Sequence, residues 1–392
     1  MAGPGTLRRI AVITTEIGVR SEVWMLRQFA AFTRVEPVLF GWTEAAASVP
    51  LPPGLEVRRF GLGDTRQPDL PARIQRRLGL AGGYLPDAAT RRHIRETLAA
   101  ANVDAVLCHF AWNAIPIAAA LEGKLPIIAQ VHGRDVSTML ANPSYRRALA
   151  TILPGLDYVA AVGRFQLDRL APLGLPAGHG VIPCGAPTAQ FGSSPLPERG
   201  ADAPIRFVTV GRVSAEKGVE QTLAAFEAVH AAHPASELIF VGEGPAEADL
   251  DRAITASPAT AAISRTGYLP PPELARLLST CHVLVQHSRE VGGWIEGFGV
   301  MLTEGGAAGL ALVASDFGGI PDQVQDGVNG LLFPPNDIDA QAAAMLRLAH
   351  DEPLRRSLGE SARRIAHGFD SRRMAAQIED RILEAIAAHA PR

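Results

Sequence analysis

Cysteine, lysine and long hydrophobic runs are the scarce features of this 392-residue sequence. Its three cysteines, Cys108, Cys184 and Cys281, lie more than 70 residues apart, so their spacing predicts neither a zinc site nor a disulfide framework and suits a reducing cytoplasm. No stretch approaches the ~20 apolar residues that a membrane-spanning helix needs. We therefore expect a cytoplasmic protein that is either soluble or attached peripherally to the inner face of a membrane.

Basic residues are almost all arginine, since only Lys124 and Lys217 among the 37 are lysine. Residues 1–200 carry 21 basic and 15 acidic side chains, a net +6, and the rest carry 16 and 25, a net −9. The arginine-rich segments 71–80 and 91–101 suit either contact with an anionic membrane surface or an ordinary solvated helix face. With a net charge of −3 and no cluster of aromatic and basic residues, nucleic acid is not an expected partner.

Short apolar runs alternate with longer amphipathic segments along the whole chain. Runs such as 9–16, 104–110, 262–269 and 282–288 have the composition of buried strands. Their alternation with helices, one of them expected from Pro271, predicts parallel sheets in an α/β protein. A segment rich in proline, glycine and serine interrupts the pattern once, as a linker would. We predict two Rossmann-like, doubly wound domains, the first at residues 1–186 and the second at residues 204–368. Residues 187–203 are predicted to be the linker, and residues 369–392 a final helical segment.

The segment GRVSAEKG, residues 211–218, places two cations around a turn that leads into a helix. Gly211 and Gly218 permit the backbone to approach a ligand closely. A helix N-terminus favours an anion, and Arg212 and Lys217 together suit a diphosphate. The same residues could instead be a helix cap and a surface charge, and the spacing alone does not decide between the two interpretations.

Two glutamates eight residues apart flank a glycine-rich loop in EGFGVMLTEGGAAG, residues 296–309. Glu296 precedes a helix expected from about Val300, and Glu304 lies little more than one turn inside it, so both carboxylates can face one ligand. Carboxylates accept hydrogen bonds from hydroxyl groups and repel phosphate. The pair is therefore predicted to flank a diphosphate, although two glutamates at this spacing also occur in ordinary structure.

Other candidates lie at the ends of strands in the first half of the chain. In VHGRDVS, His132 and Asp135 fall on a loop that leaves a predicted strand, where an α/β sheet commonly binds its ligand. His109 is a weaker candidate at another strand end. In TEIGVRSE, Gly18 permits close approach of a ligand, but no G-x-G-x-x-G follows, so a dinucleotide fingerprint is absent.

Together these segments resemble the family 4 retaining glycosyltransferases of the GT-B fold. In the second half the resemblance rests on GRVSAEKG, VGEGP (241–245), GYLPPPEL (267–274), the Glu296–Glu304 pair and FGGIPDQVQDGVNGLLFPPND (317–337). In the first half RSEVWMLRQF, CHFAWNAIPIA and QVHGRDVS are similar to the branch that builds bacterial exopolysaccharides such as colanic acid and amylovoran. The resemblance implies that two Rossmann-like domains face each other across a cleft. The first would serve the acceptor and the second the donor, and the last helix would cross back to the first.

The resemblance also implies a role for each matching residue. Arg212 and Lys217 correspond to the pair that binds the diphosphate of the donor, and Glu304 corresponds to the carboxylate that holds its ribose. Glu296 corresponds to the glutamate beside the donor sugar, and His132 to the histidine on the acceptor-domain side of that sugar. Further donor contacts are expected at Gly18, Leu269, Gly297, Phe298 and Gly299, and acceptor-side contacts at Asp135 and Arg20.

The function implied is transfer of a hexose, with retention, from a UDP- or GDP-linked sugar to a glycan or a polyprenyl-diphosphate-linked acceptor in cell-surface polysaccharide synthesis. The family needs no cofactor or bound metal, and its front-face reaction needs no protein nucleophile. Two alternatives stay open: a glycosyltransferase with a soluble small-molecule acceptor, and a nucleotide-sugar-binding protein without turnover. One departure from the family pattern is Gly305-Gly306, where relatives carry alanine and a larger apolar residue, and it suggests a looser helix.

Overall fold

The structure, a computed structural model, describes residues 7–19, 22–44, 49–61, 74, 77–78, 83–194 and 203–389. The chain divides into two compact units. Unit 1 comprises Met1–Cys184 with Ser371–Arg392, and unit 2 comprises Gly185–Asp370. The predicted acceptor-side residue Arg20 and most of the arginine-rich segment 71–80 lie outside the described residues.

The described residues of unit 1 form a parallel sheet of seven strands in the order β3-β2-β1-β4-β5-β6-β7. The strands are β1 (Arg8–Ile17), β2 (Val35–Glu44), β3 (Glu56–Arg59), β4 (Ala105–His109), β5 (Ile127–Val131), β6 (Tyr158–Ala161) and β7 (His179–Val181). Strands β4 and β5 are buried at every position, as expected when helices cover both faces of a parallel sheet. The helices between strands are α1 (Val23–Ala30), α2 (Ala88–Ala99), α3 (Ala111–Leu121), α4 (Pro143–Ile152) and α5 (Arg164–Leu170).

The described residues of unit 2 form a parallel sheet of six strands in the order β10-β9-β8-β11-β12-β13. The strands are β8 (Ile205–Val210), β9 (Ser236–Val241), β10 (Ile263–Arg265), β11 (Val283–Gln286), β12 (Ala311–Ser315) and β13 (Gly330–Phe333). The helices are α6 (Thr188–Phe191), α7 (Val219–Ala232), α8 (Glu247–Ala256), α9 (Pro271–Leu278), α10 (Val300–Ala307), α11 (Ile338–His350) and α12 (Glu352–Ala366). The two parallel sheets confirm the predicted class of two Rossmann-like α/β domains.

Unit 2 begins earlier than the predicted second domain. Helix α6 lies in the segment assigned to the linker, and its Phe191 is buried in one apolar cluster with Leu274 of α9 and Leu302 of α10. The proline, glycine and serine content of this segment obscured a single turn of helix, which is stabilised by what it buries and not by helix propensity.

The chain returns to unit 1 in its last described helix, α13 (Ser371–Ala388). Its buried face, which includes Met374, Ile378 and Ile382, shares an apolar cluster with residues of β1, β4 and β5. Glu379 is buried on the same helix, and its Oε1 accepts hydrogen bonds from the backbone N–H groups of residues 33–35 at 2.6–3.2 Å. No helix of the described residues, α13 included, is long and apolar enough to cross a bilayer.

Each sheet reverses its direction of winding once. In unit 1 the reversal lies between β1 and β4, and in unit 2 it lies between β8 and β11. Ligands of doubly wound folds bind outside the carboxyl ends of strands at such a point. In unit 1, Gly18 comes directly after β1 and His109 is the last residue of β4. In unit 2, Gly211 comes directly after β8 and Ser288 lies two residues beyond β11.

Candidate active site

The turn after β8 lies against the loop that follows β9. The N–H of Gly211 donates to the carbonyl oxygen of Val241 at 2.9 Å, and the N–H of Val213 donates to that of Glu243 at 2.9 Å. A Cβ atom on Gly242 would lie 1.9 Å from the carbonyl oxygen of Gly211, so the contact requires glycine. The VGEGP segment therefore supports the turn that carries the predicted diphosphate ligands.

Gly218 joins this turn to helix α7 in a left-handed conformation, with φ of 59°. A Cβ atom here would lie 2.1 Å from the carbonyl oxygen of His287, so glycine lets the start of α7 lie beside the end of β11. A concavity opens at this place. Its lining includes Gly211, Arg212, Lys217, Val219, Phe240 and Gln286.

Lys217 and Glu296, 79 residues apart in the chain, form an ion pair at this concavity. The ammonium Nζ of Lys217 donates to Oε2 of Glu296 at 2.5 Å and lies 5.2 Å from the ring centre of Trp294. The same carboxylate oxygen accepts from Nε2 of Gln286 at 2.8 Å and from Oγ of Ser288 at 2.7 Å. The side chain of Glu296 is only 7% exposed, so its charge is balanced inside the unit by one cation and two neutral donors.

The loop between the two glutamates is fixed by the FGGIPDQ segment. The N–H of Gly319 donates to the carbonyl oxygen of Glu296 at 3.0 Å, and a Cβ atom on Gly319 would lie 2.2 Å from the carbonyl oxygen of Gly297. Gln323 donates from Nε2 to the carbonyl oxygens of Phe298 and Gly299. The conformation of the loop therefore depends on residues more than 20 positions downstream.

Glu304 lies on helix α10, which begins after Gly299 in a left-handed conformation with φ of 80°. Glu304 is buried, as are Gly305 and Gly306 beside it. A Cβ atom on Gly305 would lie 2.5 Å from Cδ1 of Leu284 in β11, and one on Gly306 would lie 3.2 Å from the carbonyl oxygen of Ala362 in α12. The two glycines thus allow β11 and α12 to pack closely against the helix that carries Glu304.

Arg212 is the more exposed of the two predicted diphosphate ligands. Its side chain is 51% exposed and pairs with Glu216 one turn further along the chain. The Arg212 guanidinium can therefore leave this partner at little cost, because exposed ion pairs contribute little free energy.

Two other predicted donor contacts lie at strand ends. Leu269 follows β10 and packs, partly buried, on the apolar cluster beneath β9 and α9. Gly18 follows β1 with φ of 81°, and its carbonyl oxygen accepts a hydrogen bond from the N–H of Val49 at 2.9 Å. Gly18 therefore presents its backbone beside the reversal of the unit 1 sheet, whereas Leu269 follows the edge strand of the unit 2 sheet.

In unit 1 the predicted residue His132 is part of a buried aromatic cluster. Its Nε2 is 3.0 Å from Nδ1 of His109, and its Nδ1 is 3.7 Å from Sγ of Cys184. The ring of Trp24 covers it, with ring centres 4.4 Å apart, and that of Phe110 meets it edge-on at 4.7 Å. Both ring nitrogens of His132 therefore face groups of unit 1.

Burial determines the charge of this cluster. Desolvation lowers the pKa of His109 to about 3 and, with His109 as neighbour, lowers the pKa of His132 well below its usual value, so both rings are neutral at pH 7. Burial raises the pKa of Asp135, and hydrogen bonds from backbone N–H groups oppose that shift. Three of these groups, on Ala111, His132 and Gly133, lie 2.9–3.1 Å from the carboxylate. The structure thus places Asp135 where it holds the His132 loop against the start of α3.

Comparison with protein-family models gives two matches. Residues 198–365 match the family described as glycosyl transferases group 1, and residues 48–190 match glycosyltransferase family 4. The chain belongs to the family 4-like glycosyltransferases. The predicted membership of this glycosyltransferase family is thereby confirmed.

Individual relatives and solved structures agree with this assignment. The chain is 27% identical over 257 residues to the amylovoran biosynthesis glycosyltransferase AmsK of Erwinia amylovora. The aligned region covers 64% of this chain and 62% of AmsK. It is 28% identical over 251 residues to a GDP-mannose-dependent phosphatidylinositol monomannoside mannosyltransferase of Mycolicibacterium smegmatis, covering 62% of this chain and 65% of that one. The chain thus spans less than two thirds of the length of these relatives. The crystal structure of Anabaena HepE in complex with UDP matches with a TM-score of 0.74 and 17% identity over 96% of this chain and 100% of that one, and it shares the GT-B fold.

In this family 4-like glycosyltransferase, the structure brings several predicted residues together within unit 2. Lys217 contacts Glu296, and Arg212 lines the same concavity. Residues 297–299 continue directly from Glu296 toward the helix of Glu304. The donor roles of these residues stay predictions. Within the described part of this glycosyltransferase, no group of three or more histidine, cysteine or acidic side chains is arranged to hold a metal ion.

Four residues that contribute to the geometry were missed or ranked low in the sequence. Gln286 and Ser288 contact Glu296, and Gln323 fixes the loop after it. His109 pairs with His132, because β4 and β5 are neighbouring parallel strands that end side by side. The signal that was present is position: three of the four lie at or just beyond the carboxyl end of a predicted strand.

Proposed function

We propose that this glycosyltransferase moves a hexose from a nucleoside diphosphate sugar, UDP- or GDP-linked, to a glycan or lipid-linked acceptor, with retention at the transferred carbon. The observation that carries the proposal is the Lys217–Glu296 pair at the concavity beside the start of α7. A cation for phosphate and a carboxylate for hydroxyl groups lie side by side there, which suits the adjacent diphosphate and sugar of a nucleotide sugar.

Three sources of positive charge serve the diphosphate in this proposal. Lys217 supplies a point charge, Arg212 supplies a guanidinium able to bind two oxygens, and the N-terminus of the 14-residue helix α7 supplies the positive end of its dipole. These groups stabilise the negative charge that develops on the leaving diphosphate as the glycosidic bond breaks, a preorganised electrostatic role. With these charges in place, we propose that transfer needs no bound metal and no cofactor.

The two glutamates divide the remainder of the donor between them. Glu296 accepts hydrogen bonds from the hydroxyl groups of the transferred sugar, and backbone N–H groups of residues 297–299 contact its oxygens. Glu304 accepts from the ribose hydroxyl groups. In a front-face reaction the leaving phosphate takes the proton of the acceptor hydroxyl, so the proposal assigns no protein nucleophile.

The acceptor is proposed from the relatives and from charge. AmsK is named for amylovoran biosynthesis and the Mycolicibacterium relative for a phosphatidylinositol mannoside, so a glycan and a lipid glycoside are the acceptor classes to test first. The net +6 of residues 1–200 supports an acceptor or surface that carries negative charge, such as a polyprenyl diphosphate at the inner face of a membrane. We propose that His132 is the catalytic residue that unit 1 contributes.

The first test is a screen of UDP- and GDP-sugars for release of nucleoside diphosphate, with glycan, polyprenyl-diphosphate-linked and small soluble acceptors in parallel. The expected result is acceptor-stimulated release from one donor, unchanged by a chelator and strongly reduced in Glu304→Gln. Anomeric configuration of the product, read by NMR, tests retention. Tight binding of a nucleotide sugar without turnover for any acceptor would favour a binding protein.

The membrane part of the proposal has its own experiment. Flotation with anionic liposomes at low and at high salt should show binding that weakens with salt, because an electrostatic surface attachment is screened. Failure to float at either salt concentration, together with turnover on a soluble acceptor, would favour the soluble-acceptor alternative.

A further inference from the structure

The carboxylate of Glu296 accepts hydrogen bonds from two neutral side chains in addition to its ion pair with Lys217. Its Oε2 receives Lys217, Gln286 and Ser288 at 2.5, 2.8 and 2.7 Å. Ser288 is fully buried and Gln286 is 5% exposed, whereas the side chain of Lys217 is 23% exposed; Lys217 and Gln286 both line the concavity. The two neutral donors are therefore held in the core, and the cation is the most exposed member of the group.

The neutral donors are held on rigid elements. Gln286 is the last residue of β11, and its Nε2 also lies 2.9 Å from Oγ of Ser288, so the amide and the hydroxyl group point at the same carboxylate oxygen. The carbonyl oxygen of Ser288 in turn accepts from Oγ of Ser315 at the end of β12, at 2.6 Å. Two neighbouring strands thus set the position of these donors.

Binding of a diphosphate by Lys217, as in the proposed function on which this inference rests, sets its ammonium between two anions. A carboxylate buried as deeply as Glu296 is destabilised when its counter-ion turns away, unless other donors remain on it. We propose that Gln286 and Ser288 are positioning residues that hold the carboxylate of Glu296 in place and thereby free Lys217 to bind the diphosphate of the donor.

The proposal makes nucleoside diphosphate binding depend on residues that lie beside the carboxylate. In Ser288→Ala, Glu296 retains one neutral donor and holds Lys217 more strongly. The affinity for UDP or GDP, whichever the wild type binds, should fall about tenfold, the size of a lost hydrogen bond to a charged group. Gln286→Met should weaken binding similarly, and Ser279→Ala, which removes a hydroxyl group at the exposed end of α9, should leave it unchanged.

The decisive measurement is the same substitution in the Glu296→Gln background, by titration calorimetry with UDP and GDP. Without the carboxylate, no buried negative charge is left unpaired when Lys217 turns to the diphosphate, so E296Q should bind the diphosphate at least as tightly as the wild type. Adding Ser288→Ala to E296Q should change the affinity less than twofold. An equal loss in both backgrounds would show that Ser288 acts only on folding or packing and would overturn the inference. Melting temperatures identify any variant that fails to fold, in which case Gln286→Met in both backgrounds gives the same test.

Lys217→Met separates this inference from the proposed function. If Lys217→Met leaves diphosphate affinity unchanged, the proposed donor site is wrong. If Lys217→Met weakens binding but Ser288→Ala and Gln286→Met do not, the donor site stands and the positioning role is wrong.

Discussion

Each unit places a polar cluster at the carboxyl ends of two neighbouring strands, and the two clusters treat charge in opposite ways. In unit 1 the ends of β4 and β5 bring together His109 and His132, and burial keeps both rings neutral. In unit 2 the turn after β8 and the loop after β11 bring together Lys217 and Glu296, an ion pair whose carboxylate is buried and accepts from two additional neutral donors. One cluster excludes charge, and the other balances it.

This difference determines what each cluster responds to. A neutral, desolvated histidine pair is sensitive to protons, because protonation puts an unbalanced charge in the core. An ion pair at the edge of a concavity is sensitive to anions, because an anion competes for its cation.

Removing the cation of unit 2 should have the largest effect. Lys217→Met should lower kcat/KM for the donor by about 10²- to 10³-fold, as expected for the loss of one group that stabilises a developing negative charge. Lys124→Met is the matched control, since the other lysine of the chain is exposed in a turn after α3. Release of nucleoside diphosphate measures both, and equal activities of the two variants would contradict the assignment of Lys217.

Moving the start of α7 away from the end of β11 should have the next largest effect, a loss of folding stability. Gly218→Ala combines a left-handed conformation, worth about 1 kcal/mol, with a Cβ atom placed 2.1 Å from a carbonyl oxygen, for about 2–4 kcal/mol in total. Gly327→Ala has the same kind of backbone conformation, with φ of 71° and open space around the Cβ position, and should cost only the first part. Urea unfolding of the two variants checks the difference, and equal losses would show that the approach of α7 to His287 is not tight.

Protons should act on unit 1. The pKa of His109 is about 3 in the folded chain and 6.5 as its ordinary value, so between these values the unfolded chain binds more protons. The stability that depends on a neutral His109 is therefore complete above about pH 6.5 and is lost as the pH falls, by about 2 kcal/mol between pH 7 and pH 5.

His109→Asn provides the control, because an asparagine amide can still donate to His132 but does not titrate. Urea unfolding followed by tryptophan fluorescence reports mainly on unit 1, which contains Trp24, Trp42 and Trp112. The variant should lose about 2 kcal/mol less than the wild type between pH 7 and pH 5. An identical pH dependence in both proteins would mean that His109 takes up a proton without strain.

The smallest effect is expected at the exposed end of the unit 2 cluster. Glu216→Gln removes the carboxylate that pairs with Arg212, a half-exposed pair worth about 0.3–0.5 kcal/mol, and should tighten nucleoside diphosphate binding about twofold. Titration at low and high salt checks this, because the gain should shrink as salt screens the pair. A gain of tenfold or more would assign Glu216 a direct role in keeping anions out.

Much of the fold follows from the sequence, because buried strands and amphipathic helices carry periodic signals. The predicted final helix agrees with α13, and the helices expected from Pro271 and Val300 begin at those residues. The strand expected over residues 262–269 ends earlier, at Arg265, because Gly267 takes up a left-handed conformation and a run of prolines follows. Local chemistry decided these cases, and local chemistry is what a single sequence displays.

The candidate site was predicted in part for the same reason. Charge and glycine spacing marked Lys217 and Glu296, but their contact spans two separate βα connections, so the sequence could not show that one ion pair joins them. Gln286 and Ser288 carry no charge and end a strand-like run, so their hydrogen bonds to Glu296 left no trace in the pattern. Neutral side chains become informative only when the topology shows which strand ends are neighbours.

Helix α13 has a consequence for the order in which the chain is built on the ribosome. The strands of unit 1 are complete at residue 181, but the helix that covers Ile10, Leu107 and Ile128 is synthesised only after the whole of unit 2. Until then the part of the apolar face of unit 1 that α13 covers stays exposed, while unit 2 is complete. Truncated products that stop before Ser371 should therefore contain a folded unit 2 and an aggregation-prone unit 1, and a limited proteolysis time course of stalled chains would reveal that order.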